Sequence, residues 1–331
     1  MAEQLYLECS AGISGDMLVA ALLDAGADEA AVLAALESLP VQGFSVRVSR
    51  VAKQGLDACD FDVVLDAAHE NHDHDMDYLH GHAHGVAASP AELGPGHAHG
   101  DDHPHGHGQG APCDGGGAAH DHGHSHVHGE GHSHDHSHPR GSHGHAHGHH
   151  RAAGPSHCHE HRNLADVLAI VDGAAMADRA RAIARRIFSI LAEAEAKAHG
   201  RPVEQVHFHE VGAVDSIADI VAIAVAFDSL GIDEVVVPSL SEGRGTVRCQ
   251  HGIIPVPVPA VVNIAQAHGL ALSLLPVEGE LVTPTGAAAV AALRTADALP
   301  ERFTIKRVGL GAGKRDYATS GLLRALVIEG A

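Results

Sequence analysis

Apolar positions recur along this chain with two periods, and the periods divide it into strands and helices. LYLECS leads through AGISGD into MLVAALLDAG, which predicts strand, glycine-rich turn and helix, with Gly26 as the helix stop. A second helix is expected from about Asp28 to Leu39, ended by Pro40. FSVRVSRV and ACDFDVVLD alternate apolar and polar residues, as two strands with one wet face do, and KQGLD would join them as a hairpin. Cys59, Phe61, Val63 and Leu65 then face the core, where Cys59 is inert packing.

Periodicity stops at His69 and resumes after His161. In between the residues are His, Gly, Ala, Ser, Pro and Asp, too poor in apolar surface to offset ordering at roughly 1–2 kcal/mol per residue, so disorder is expected. Beyond it, Asn163 caps LADVLAIVD with Gly173 at its end, and a longer helix runs from about Met176 to Ala198, closed by Gly200 and Pro202. There follow VHFHEVGAVDSIADI, the short strand EVVVPSL, EGRGTVRCQHGIIPVPVP, a helix over Pro259–His268, the strand LSLLPV, GELVTPTGAAAVAAL with its Ala-rich helix, FTIKRV, the turn GLGAGKRD and a last strand LLRALVIEG. The expected class is α/β or α+β, a mixed sheet with flanking helices. Residues 1–68 and 162–331 form its globular core, and 69–161 is a disordered His-rich metal-binding insertion.

Composition sharpens this division. The 331 residues include 42 acidic and 21 basic side chains, a formal charge of −21, which disfavours nucleic acid and anionic membranes and attracts cations. Of 33 histidines, 28 lie between His69 and His161, with 12 acidic and 2 basic residues beside them. Their repeating H-x-H unit, as at His132, His134, His136 and His138 and at His143, His145, His147 and His149, offers neutral imidazoles suited to nickel, copper, zinc and cobalt. Such a tether buffers or delivers ions without building a catalytic geometry. Five cysteines with no C-x-x-C pair argue against a disulfide framework. No secretory leader and no apolar run near the roughly 20 residues of a membrane span are present, so a cytoplasmic protein is expected.

The candidate chemistry centres on Val206–Ile220. If His207 to Glu210 is extended, His207 and His209 share one face and can share a metal, with Glu210 beside them. Asp215 and Asp219 either join them or cap the helix that follows, Ser216 to Asp219 having the capping-box form. Elsewhere the residues suit an anionic ligand. Ser14, Gly15 and Asp16 stand at a helix start, where Gly12 and Gly15 permit close approach and Asp16 could hold a metal or simply favour the helix dipole. Arg244, Arg248 and His251 flank the turn Gly243–Gly245. Thr283, Thr285 and Gly286 open the Ala-rich helix, either as ligands or as plain caps, and Lys314 and Arg315 lie in the last turn.

Assembled in order, LYLECSAGISGDM, VHFHEVGAVDSIADI, HGIIPVPVPA, GELVTPTGAA and VGLGAGKRD resemble the LarC family, the nickel insertion proteins of nickel-pincer cofactor biosynthesis. The resemblance covers essentially the whole patterned chain. It implies that nickel is inserted into pyridinium-3,5-bisthiocarboxylic acid mononucleotide, forming two sulfur–nickel bonds and one carbon–nickel bond in a lyase-type reaction, with CTP hydrolysed and Mg²⁺ or Mn²⁺ assisting. His207, His209 and Glu210 would then handle the metal, and Glu210, His209 and Asp215 are the candidate bases for the ring proton. Longer members carry a further C-terminal domain implicated in CTP binding, and this chain ends at Ala331. A short form working with a separately encoded C-terminal domain protein, or a fragment, is therefore expected, as is a homo-oligomer. Two other readings compete: a non-catalytic nickel reservoir or chaperone using the His-rich segment, and a phosphotransferase, for which no Walker motif is present.

Overall fold

The computed structural model describes residues 2–66, 162–208, 213–249 and 251–330, with only the backbone of His207. The His-rich insertion expected over 69–161 lies outside them. At the centre is a mixed six-stranded sheet. Its strands are β1 (Glu3–Glu8), β2 (Phe44–Lys53), β3 (Leu56–Leu65), β6 (Glu234–Val236), β11 (Phe303–Ala312) and β12 (Leu322–Gly330), in the order β2-β3-β11-β12-β1-β6. β1 is antiparallel to β12 and parallel to β6. β4 (Arg162–Asn163) pairs antiparallel with β5 (His207–Phe208), β7 (Leu240–Arg244) runs parallel to β10 (Leu272–Glu278), and β8 (Thr246–Cys249) with β9 (Gly252–Pro255) is a hairpin.

Seven helices accompany the strands among the described residues: α1 (Gly15–Asp24), α2 (Glu29–Glu37), α3 (Leu164–Gly173), α4 (Asp178–His199), α5 (Val214–Leu230), α6 (Pro259–His268) and α7 (Pro284–Leu293). α5 is apolar almost all round, with Ile217, Ile220, Val221, Ile223 and Ala224 fully buried, because it packs against α1, α2 and α4 together. None of the helices is long and apolar enough to cross a membrane. Local chemistry sets the boundaries. Asp28 accepts from the Ala31 N–H to start α2, and Asn163 and Asp166 form a reciprocal capping box on α3. Gly200, at φ 62°, ends α4.

The β2–β3 hairpin forms as the alternation predicts, but its turn is shorter than KQGLD. Lys53 and Leu56 already pair, leaving Gln54 and Gly55 at φ 50° and 82° as a two-residue loop whose positive angles suit the strand twist. Cys59 and Phe61 are buried as expected, with Val63 and Leu65 half-buried. EVVVPSL divides between β6 and β7, and GLGA, read as the start of a turn, continues β11 to Ala312.

That continuation has a packing cause. A Cβ on Gly309 would lie 2.0 Å from the Ala21 carbonyl oxygen and one on Gly311 2.0 Å from that of Met17, so α1 rests directly on the β11 backbone. Both obstacles are main chain and neither can swing aside. Gly311→Val is expected to cost about 3 kcal/mol or more of stability. Urea unfolding checks this, and a midpoint equal to the parent's would contradict it.

Candidate functional site

Two cavities adjoin in this fold. The larger, of about 580 Å³, is walled by the start of α1, the second half of β3, the start of α5, the segment Glu280–Thr285 and the turn between β11 and β12. These are the places where several sequence-predicted residues fall. Ser14, Gly15, Asp16, Asp215, Thr283, Thr285, Lys314 and Arg315 all line it.

One wall is acidic. Asp215 stands in the first turn of α5 and Asp219 one turn later on the same side. Neither caps the helix: the cap position is Ala213, with no side-chain bond, and Asp215 Oδ1 is buried with no hydrogen-bond partner among the described residues. Asp219 instead crosses to α1, where its carboxylate accepts from the Asp16 N–H. Gly15 allows that crossing, since a Cβ there would stand 2.4 Å from Asp219 Oδ2. Asp16 accepts in turn from the Ser14 hydroxyl and the Met17 N–H. Burial, followed by repulsion from Asp16 and Asp215, raises the Asp219 carboxyl well above its ordinary range. Burial raises Asp16 as well, against the opposing pull of Ser14 and Lys314.

Another wall carries two cations, each paired with carboxylates. Lys314 Nζ lies 2.5 Å from Asp60 Oδ1 and 3.4 Å from Asp62 Oδ1. Arg315 Nη1 lies 3.2 Å from Glu280 Oε2, and Tyr317 donates its hydroxyl to the Glu280 carbonyl at 3.0 Å. The tip of the β2–β3 hairpin holds this turn in place. Lys53 Nζ donates to the Arg315 carbonyl at 3.0 Å, and Gln54 Nε2 to that of Thr319 at 2.7 Å. The local strand pairing of β2 and β3 thus decides where Lys314 and Arg315 stand.

The smaller cavity, of about 260 Å³, is lined by Glu195 and His199 of α4, Arg248 and Cys249 of β8, and His251, with Ile254 and Val258 as apolar wall. Glu280, Pro284 and Arg315 line both cavities.

Other predicted residues have different surroundings. The close approach at Gly12, φ 91°, is to the chain itself, a Cβ there lying 2.1 Å from the Leu281 oxygen. Arg244 lines neither cavity and pairs with Glu278 at 3.2 Å on the surface. Thr283 caps α7 by accepting from the Gly286 N–H at 3.2 Å, and it also lines the larger cavity. Thr285 is 9% exposed at the cleft wall. His209, Glu210 and the histidines from His132 to His149 lie outside the described residues, and His207 enters β5 opposite Asn163. Sequence reading missed Glu280, Tyr317, Asp60 and the cavity role of His199 and Cys249. Only the i, i+4 spacing of Asp215 and Asp219 at the start of a largely apolar helix hinted that the two belong together. Among the described residues no three His, Cys, Asp or Glu side chains already stand as a ready metal cage.

The profile of the family described as nickel insertion protein matches residues 5–331. The chain is 41% identical over 330 residues to the pyridinium-3,5-bisthiocarboxylic acid mononucleotide nickel insertion protein of Alkaliphilus metalliredigens, covering 99% of this chain and 61% of that one. It is 32% identical over 327 residues to the protein of that name from Geobacillus kaustophilus, covering 98% and 59%. It is also 47% identical over 171 residues to a putative nickel insertion protein of Geotalea daltonii, covering 51% and 43%. The chain spans about three-fifths of the length of the first two relatives. No solved structure matches.

Proposed function

The chain belongs to the nickel insertion protein family, and from that premise we propose that it inserts nickel into pyridinium-3,5-bisthiocarboxylic acid mononucleotide. The observation that carries this reading is the larger cleft, whose lining brings the buried carboxyls of Asp16 and Asp219 together with Lys314 and Arg315. A mononucleotide bearing thiocarboxylates is anionic, and Lys314 and Arg315 supply charge-assisted contacts for it. Forming the carbon–nickel bond replaces a ring C–H, so each insertion releases that proton to a base. Glu210, His209 and Asp215 remain candidates, and Asp219 joins them: a carboxylate with a raised pKa is the better proton acceptor. His207 and His209 handle the metal ahead of insertion.

In this reading the reaction is a lyase-type cyclometallation that consumes CTP with Mg²⁺ or Mn²⁺, carried out in the cytoplasm by a homo-oligomer. The 28 histidines between His69 and His161 support a second role, as a nickel reservoir.

The test is formation of the nickel complex, followed by its absorbance, with and without CTP and Mn²⁺. It uses the full chain, the chain lacking 69–161, and the latter carrying His207→Ala with His209→Ala. The loop-deleted chain is expected to form the complex at saturating nickel and the double variant to fail. Lys314→Ala and Arg315→Ala are each expected to raise the substrate KM about tenfold or more, the loss of one hydrogen bond to a charged group. Complex formation by none of these proteins under any condition would leave only the reservoir.

A further inference from the structure

His199, Cys249 and His251 come from two separate elements and meet at the smaller cavity. His199 is the last residue of α4, while Cys249 ends β8 and His251 leads into β9. Cys249 Sγ stands 3.8 Å from His251 Nδ1. The His199 and His251 rings have centroids 5.0 Å apart, tilted by 46°. One turn earlier on α4, Glu195 Oε2 lies 3.5 Å from His199 Nε2.

The Cys249–His251 and His199–His251 separations are close to those of ligands on one ion. With metal–sulfur and metal–nitrogen bonds of about 2.3 and 2.0–2.1 Å in a tetrahedron, a thiolate sulfur and an imidazole nitrogen lie about 3.6 Å apart, and two imidazole centroids about 5 Å apart. Among the described residues no three donors already converge on one point, so closing the site takes a side-chain rotation. The cavity of about 260 Å³ gives room for it.

We propose that His199, Cys249 and His251 form a transition-metal site from which nickel passes into the adjoining substrate cleft, with Glu195 orienting His199. That the cargo is nickel rests on the proposed insertion function. One thiol and two imidazoles select nickel, cobalt, zinc or copper over Mg²⁺ and Mn²⁺, which take oxygen ligands. Binding replaces the S–H by a metal–sulfur bond and releases one proton to solvent. A carboxylate behind a ligating histidine fixes its ring, and Glu195, 3.5 Å from His199 Nε2, stands where it would do so. Delivery is short, because Glu280, Pro284 and Arg315 belong to both cavities.

Cobalt is the probe, since thiolate-to-cobalt charge transfer gives a near-ultraviolet band that imidazole alone does not. The full chain carries Cys113→Ser and Cys158→Ser, which removes the thiols of the His-rich segment, and Cys9 and Cys59 are buried in the core. Titrated with excess cobalt, this protein is expected to show the band and Cys249→Ser to lose it. His199→Ala and His251→Ala should each raise the half-saturating cobalt about tenfold or more, and Glu195→Gln about tenfold. Melting temperatures equal to the parent's confirm that these variants fold. A band that survives Cys249→Ser, or half-saturation unmoved in both histidine variants, overturns the site. Insertion by Cys249→Ser at the parental rate under limiting nickel overturns the delivery role while the insertion function stands. The band without insertion in any of these proteins overturns the insertion function and leaves the metal site standing.

Discussion

Asp219→Asn is expected to make the protein more stable at pH 8 and to lower nickel insertion about 10²- to 10³-fold. The two effects have one cause. Asp219 is buried against Asp16 and Asp215, so at neutral pH the native state either holds a carboxylate it solvates badly or keeps a proton that an exposed carboxyl would release. Asparagine preserves the acceptor for the Asp16 N–H and offers an amide toward the Asp16 carboxylate. It removes the repulsion, worth about 0.5–2 kcal/mol by analogy with other relieved strain at functional sites. It also removes the proton acceptor, whose contribution as a general base is about 10²- to 10⁴-fold.

The pH dependence separates this cause from others. In the native protein the Asp219 carboxyl titrates above the ordinary value of 3.8. Between those two values the native state holds more protons than the unfolded chain, so stability falls as pH rises through that window. The full penalty is present above the native value and is absent below 3.8. Melting temperatures at pH 8 should therefore favour Asp219→Asn, and the advantage should shrink toward pH 4. An advantage of equal size at both pH values would show that Asp219 is not under electrostatic strain, and parental insertion would remove it from the reaction.

Much of the fold was legible because its causes are local. Alternation in β2 and β3, the caps at Asp28 and Asn163 and the stop at Gly200 are each written within a few residues. The acidic wall was half legible. Asp16 and Asp215 could be picked out singly, but a carboxylate that leaves its own helix to bind the N-terminus of another is decided by the packing of α5 on α1, with Gly15 making the room. Glycines have packing reasons of the same kind. Next to arginines they suggest an anion site, whereas Gly243 has no Cβ because one would lie 1.9 Å from the Gly279 oxygen. His199 gave no signal at all, since its partners lie on a hairpin some fifty residues downstream.

A large loss of stability together with activity is expected at a residue that sequence reading did not single out. Glu242 is fully buried in β7, and its Oε1 accepts from the Leu281 N–H at 2.7 Å, the Gly243 N–H at 2.8 Å and the Val282 N–H at 3.1 Å. β10 shifts register between Leu274 and Glu278, and the chain then folds back across β7, which leaves the Leu281 and Val282 amides to this side chain. Val282 bridges to Ile13 and Thr283 caps α7, so one carboxyl oxygen secures the wall shared by both cavities. Glu242→Leu leaves three buried N–H groups without an acceptor and is expected to cost about 3 kcal/mol or more, with insertion lost alongside. Glu242→Gln keeps the accepting oxygen. It discards a carboxyl that burial raises above its ordinary range despite those three donors, and should stay within about 1 kcal/mol of the parent. Urea unfolding of the two variants decides the matter. Equal midpoints for leucine and glutamine would mean that the three amides find other partners and that this wall does not depend on Glu242.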